Sequence, residues 1–184
     1  MTTTSLGTEI STKREWSNWL FIPGLDGNPF KAECRRAALP GQIAKADCGA
    51  EIEVVEEKCL NWFADDPRLD RPHTHGFPFI SFILAGEISE KRWRRQKCNG
   101  EYIYRGTFTW KAGQAYYCAE DIAHSVFSVA PGTKTHMFLG KHVAGPKDWG
   151  HLTLSRNGLT GIYQPNEVDP EFLARFKNLN LRPT

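Results

Sequence analysis

The feature that most limits how this chain can fold is the run Arg71-Pro72-His73-Thr74-His75-Gly76-Phe77-Pro78-Phe79-Ile80-Ser81-Phe82-Ile83-Leu84-Ala85-Gly86. Two histidines one residue apart lead directly into an apolar stretch that stops at a glycine. In an extended chain alternate side chains face opposite ways, so His73 and His75 share a face, about 7 Å apart. Two imidazoles so placed can reach one metal ion from one side. The apolar pattern predicts a single buried strand over His73–Ala85. A third histidine, His124, opens another apolar run, Ser125-Val126-Phe127-Ser128-Val129, after a turn-like Glu120-Asp121. The chain between His75 and His124 is long enough for several antiparallel strands to return to one interior.

Elsewhere the signals are mostly β. Residues 1–10 read as a polar tail, and Glu15–Ile22, carrying Trp16, Trp19, Leu20 and Phe21, as a short helix or strand covering one side of a barrel. Asn28-Pro29 has the form of an N-cap followed by proline at the first helical position, predicting a short helix as far as Leu39. Ile43–Ala46 and Val54–Phe63 are candidate strands, although Glu51–Leu60 also fits a helix. Further strands are expected from Glu87 to Arg94, Tyr102 to Trp110, Gln114 to Cys118, His124 to Val129 and Thr135 to Val143. Asp169–Leu179 is a predicted C-terminal helix, with Phe172, Leu173 and Phe176 on one face. Short strands between turns point to an all-β sandwich or barrel with peripheral helices. The expected division is a tail and arm packing on the barrel over 1–41, the barrel over 42–164, and a helix and tail over 165–184.

Composition excludes several classes of function. The net charge of +2 over 184 residues is too mild to argue for nucleic acid. The basic run Lys91-Arg92-Trp93-Arg94-Arg95 reads as a solvated strand end. Five scattered cysteines without a Cys-x-x-Cys pair fit reduced thiols in the cytoplasm better than a disulfide framework or a zinc site. The polar start of the chain lacks the apolar centre of a secretion signal, and no apolar run is long enough to cross a bilayer.

With these motifs in view, the sequence resembles the cupin superfamily, small jelly-roll barrels of the double-stranded β-helix kind. The likeness spans roughly Val54–Leu154. The family's first motif runs His-x-His, then Glu, then Gly, and His73, His75 and Gly86 occupy matching positions. Its second motif ends Pro-x-Gly-x-x-His, a place taken here by Ala119-Glu120-Asp121-Ile122-Ala123-His124. Asp148-Trp149-Gly150 and the Phe77-Pro78-Phe79 stretch also resemble a group of cupins without an established activity. The family's metal-binding Glu would fall at Phe79 or Ile80, and neither binds a metal. Glu87 and Glu90 lie just beyond that position and remain candidate ligands.

The resemblance therefore implies a three-imidazole metal site at His73, His75 and His124. Fe(II) is the expected ion; Zn, Ni, Cu and Mn are the others such a ligand set admits. Three imidazoles leave the 2+ charge uncompensated, which favours a small anionic substrate. The similarity to three-His thiol dioxygenases points to an Fe(II) oxygenase or dioxygenase. A metal-dependent isomerase, lyase or hydrolase on the same barrel stays open, as does a small-ligand or metal-binding protein without turnover. A metal-free epimerase would use His124 beside Glu120 and Asp121.

Arg71, Arg92 and Arg105 are candidate anchors for a substrate carboxylate, with Tyr102, Tyr104 and Tyr116 as further candidates for substrate contact. Ser81, Ser125, Gln114 and Tyr117 join the tyrosines as groups that could hold the imidazole rings. Phe77, Phe79, Phe82, Phe127 and Phe138 are expected to fill the core and narrow the pocket. His136, His142 and His151 read as ordinary packed or surface residues. Cupins commonly dimerise through outer strands, so the tryptophan-rich arm suits exchange with a second copy.

Overall fold

In the computed structural model, residues 14–143, 150–155 and 158–163 are described. They form thirteen strands and one 3-10 turn at Pro67–Asp70. The strands are β1 (Leu20–Pro23), β2 (Pro29–Ala37), β3 (Ile43–Lys45), β4 (Glu51–Trp62), β5 (His73–Thr74), β6 (Phe79–Ala85), β7 (Glu87–Arg95), β8 (Tyr102–Lys111), β9 (Ala115–Cys118), β10 (Ile122–Val129), β11 (Lys134–Gly140), β12 (Gly150–Ser155) and β13 (Gly158–Tyr163).

All pairings are antiparallel and fall into two sets. One sheet runs β1-β2-β4-β11-β6-β9, with β3 added to β4. The other set, β10-β5-β12-β13-β8-β7, closes on itself. From β5 onward the chain passes repeatedly from one set to the other, giving the rolled double sheet of a jelly roll. Between them lies a core that includes Phe79, Ile83, Ile88, Val129, Leu60 and Trp62. Phe79 and Ile83 are essentially inaccessible, and full burial of such side chains contributes about 1.5–3 kcal/mol each.

Two sequence expectations change and one left open is decided. Asn28–Leu39 is not a helix: Pro29–Ala37 is strand β2, paired with β4 from Lys31↔Trp62 to Ala37↔Glu56. Proline at its first residue costs no ladder bond, and tertiary pairing overrides the cap signal. Glu51–Leu60, open to either reading, lies within strand β4. The single strand predicted over His73–Ala85 is two strands in different sheets, since β5 pairs with β10 and β12 while β6 pairs with β11 and β9.

The break between β5 and β6 has a local cause. At Gly76 a Cβ would lie 2.1 Å from Nε2 of His142, so the backbone passes there only without a side chain. Pro78 offers no N–H, and its carbonyl instead accepts from the Gly140 amide at 2.8 Å. Of the five phenylalanines expected inside, Phe127 is 39% exposed, with the Lys91 ammonium over its ring. Phe82 and Phe138 pack on a second core cluster around Ile80 and Val54. Of the arm's apolar residues, Trp19, Leu20 and Phe21 are exposed, whereas Trp16 packs against His136 and Arg36. The predicted C-terminal helix, the first thirteen residues and Asp148-Trp149 lie outside the described residues.

Gly86 makes the turn from β6 to β7 with φ of +73°, and a Cβ there would stand 2.2 Å from Thr133 Oγ1. Gly86→Ala is expected to lower stability by about 2 kcal/mol or more through backbone strain and overlap. The urea unfolding midpoint measures this; an unchanged midpoint would show that the turn relaxes freely.

Candidate metal centre

The site is built across the closed set of strands. On β5, His73 lies opposite His124 of β10 on one side and His151 of β12 on the other. Thr74 fixes the β12 side, its hydroxyl taking the Gly150 amide at 3.1 Å. His75 follows just past the strand. The His73, His75 and His124 rings converge, with centroids 4.6 to 5.2 Å apart. One ligand nitrogen from each lies within 4.8 Å of the others.

Hydrogen bonds assign the nitrogens. His73 Nδ1 is 3.0 Å from the Arg71 carbonyl; a carbonyl only accepts, so Nδ1 carries the proton and the lone pair is on Nε2. His124 Nδ1 is 2.5 Å from Glu90 Oε2. Burial works to raise the Glu90 pKa, but His124 and Arg92 outweigh it and hold the carboxyl at about 2. Glu90 is therefore ionised and accepts the His124 Nδ1 proton, leaving Nε2 of that ring facing His75 Nε2 at 3.0 Å. Burial lowers the His73 pKa to about 3 and that of His75 well below its ordinary value, so both rings are neutral at pH 7.

These features fit a divalent metal. Neutral imidazole nitrogens are ligands for such ions, and a 3.0 Å separation suits two nitrogens each about 2.1 Å from a shared ion. A carboxylate holding the far side of a ligating imidazole is a common means of fixing its tautomer and orientation. Glu90 does this from a position with no exposed surface. Its other oxygen accepts from Arg92 Nε and Trp110 Nε1, both at 2.7 Å. Glu87, the other carboxylate considered from the sequence, is exposed.

A cavity of about 440 Å³ opens on His73 and His75, lined also by Arg35, Glu56, Lys58 and Phe77. His142 and His151 line it too, although the sequence offered no reason to separate them from packed residues. None of Arg71, Arg92, Arg105, Tyr102, Tyr104 and Tyr116 is among its lining residues. Arg71 is exposed and contributes its carbonyl to His73. Arg92 donates to Glu90 and the Tyr117 carbonyl, its guanidinium packed among Phe108, Trp110 and Tyr116. Arg105 and Tyr104 are exposed on β8. Tyr102 is buried with Ala123 and Leu152, and Tyr116 is buried between Trp110 and Phe79.

Alternation on β7 was the signal for Glu90: Ile88 and Glu90 point the same way into the interior. The sequence reading placed Glu90 among possible direct ligands; the fold sets it one step behind His124. Ser125, named as a ring-holding candidate, instead donates to Asp70 at 2.9 Å. Gln114 accepts from the Lys111 amide.

No family model matches the chain, and no curated protein matches it. Among solved structures, similarity is found to Streptomyces albus HEPD with 2-hydroxyethylphosphonate and Fe(II) bound, at 18% identity over 73% of this chain and TM-score 0.43. Hydroxypropylphosphonic acid epoxidase from S. wedmorenis gives 15% identity over 67% of this chain and TM-score 0.40. Bacillus subtilis oxalate decarboxylase gives 11% over 90%, with TM-score 0.44. The chain spans 25%, 56% and 37% of those three proteins respectively. Likeness at this level says nothing of what the chain binds or does.

Glu90→Gln is expected to weaken divalent-metal affinity about 10–100-fold, read by competition with a chromophoric chelator on variant protein shown by circular dichroism to be folded. Unchanged affinity would remove Glu90 from the site. A second expectation concerns acid. The unfolded His73 ring takes a proton near pH 6.5 and the folded one near 3, so the unfolded state binds more protons between those values. Stability of the metal-free protein should thus be full above pH 6.5 and fall as pH drops toward 3. Urea midpoints across this range should show a shallower decline in His73→Gln than in the parent.

Proposed function

We propose that this chain is a metal-dependent enzyme of the cupin type, an Fe(II) oxygenase acting on a small anionic metabolite through His73, His75 and His124. The observation that carries the reading is the convergence of three imidazoles beside a cavity, one ring oriented by a fully buried carboxylate. Among the described residues no carboxylate joins the converging ligands, which favours the three-His form over the two-His-one-carboxylate centre of many oxygenases.

Held by His73, His75 and His124, Fe(II) would supply the redox chemistry by which O2 reacts with a bound substrate. The protein's part is orientation and exclusion. Glu90 keeps the His124 Nε2 lone pair turned to the site, and the Arg71 carbonyl does the same for His73. Phe79 and Phe77 pack edge-on or tilted against His75, shielding the ligand side from water. Arg92, locked on Glu90, keeps that carboxylate ionised and in place. A small anionic molecule is the natural occupant of a cavity adjoining an uncompensated 2+ charge. As a cytoplasmic protein with reduced thiols, the chain would keep Fe(II) in its working state, and a homodimer formed through its outer strands is part of the same reading.

Protein purified without added metal is expected to carry about one equivalent of iron. Exposure of the Fe(II) form to nitric oxide, a stand-in for O2, should produce the electron paramagnetic resonance signal of a ferrous nitrosyl, lost in His124→Ala. Zinc in place of iron, with turnover insensitive to oxygen, would overturn the oxygenase reading in favour of an isomerase, lyase or hydrolase.

A further inference from the structure

The cavity has a second polar wall that the ligand set does not use. On β4, Lys58 alternates with Leu60 and Trp62, both members of the buried core, so its side chain faces the interior. The β2 partners of these three residues are Arg35, Glu33 and Lys31, which share that face. Of the charged groups on these two strands, Arg35, Lys58 and Glu56 line the cavity, with Glu33 beside them on β2.

The pairing within the wall is uneven. Arg35 is matched by Glu33 at 2.8 Å and Glu56 at 3.3 Å. Lys58, only 17% exposed along its side chain, reaches Glu33 at 3.6 Å, beyond good hydrogen-bond distance. A buried ammonium held this loosely bears a desolvation cost that another anion would relieve. Lys58 lines the same cavity as His73 and His75.

We propose that Lys58 anchors the oxyanion of the substrate, a short-chain carboxylate whose other end reaches the three histidines. This rests on the metal-site reading for the far end of the molecule but not for the anchor itself. A carboxylate here would take charge-assisted hydrogen bonds from the ammonium, with Arg35 reinforcing it from the rim. Glu33 bonds Arg35 closely and stands 3.6 Å from Lys58, so the Lys58 ammonium keeps N–H donors for a ligand. Substrates lacking the anion would meet an unsatisfied buried charge, which makes Lys58 a specificity-determining residue.

The test is calorimetric titration of glycolate, malonate and succinate into the protein with and without bound metal, with malonamide as the neutral control. The parent should bind at least one carboxylate and not malonamide. Lys58→Met, of similar length and apolar, should lose about tenfold or more in that affinity while keeping its metal stoichiometry. Lys58→Arg should restore most of it. Equal carboxylate affinity in Lys58→Met and the parent, or no carboxylate binding by the parent, overturns the proposal and leaves the metal site standing. If no metal binds, the function proposed above fails, and Lys58-dependent binding by the metal-free protein still decides the anchor. Should Lys58→Met not fold, Lys58→Gln, which keeps a donor for Glu33, gives the same comparison.

Discussion

Everything in the site depends on the strand register that sets His124, His73 and His151 in a row across β10, β5 and β12. Directly opposed residues in neighbouring strands have close Cβ atoms, so three imidazoles are held together by backbone pairing before any side-chain bond is counted. The ring centroids follow, at 4.6 Å between His73 and His124 and 5.6 Å between His73 and His151. His75 joins them from the chain beyond β5. A slip of one residue in β5 would turn His73 to the other face and dissolve the cluster.

The second requirement is a buried charge that is fully matched. Glu90 has no exposed surface yet stays ionised, because His124, Arg92 and Trp110 all donate to it. Glu57 on β4 solves the same problem on the opposite face of its strand. Arg14, Arg36, Gln42 and His136 surround it. Burial tends to raise its pKa, but these donors prevail and hold it at about 2. The two carboxylates have different consequences. Glu90 turns its charge toward a ligand ring, whereas Glu57 ties the segment before β1 to the sheet and stands apart from the cavity.

Much of the plan was legible in the sequence. The His-x-His pair, the later His124 and the alternating strands sufficed for a rolled β architecture and for the three residues that converge. Local signals failed where tertiary pairing decides. Asn28-Pro29 looks like a helix start, but the chain that follows completes a ladder with β4, and nothing in its own composition says so. The place of Glu90 behind His124, and the parts of Lys58 and His151, were hidden for another reason. Their importance comes from which way a strand faces and what stands across a gap, and polar residues on strands usually face water. Inward alternation with Ile88 marks Glu90, and alternation with Leu60 and Trp62 marks Lys58. For His151 the adjoining sequence carries no comparable mark; only its cross-strand partner reveals it.

The brevity of β5 has its own consequence. A strand of two residues has few backbone hydrogen bonds to lose, so its detachment is a local event whose cost lies below that of opening the long β4–β11 and β7–β8 ladders. The same short strand carries His73 and leads into His75. An ion bridging these rings to His124 would clasp the seam shut from within, making occupancy of the centre and integrity of this side of the barrel a single thermodynamic event.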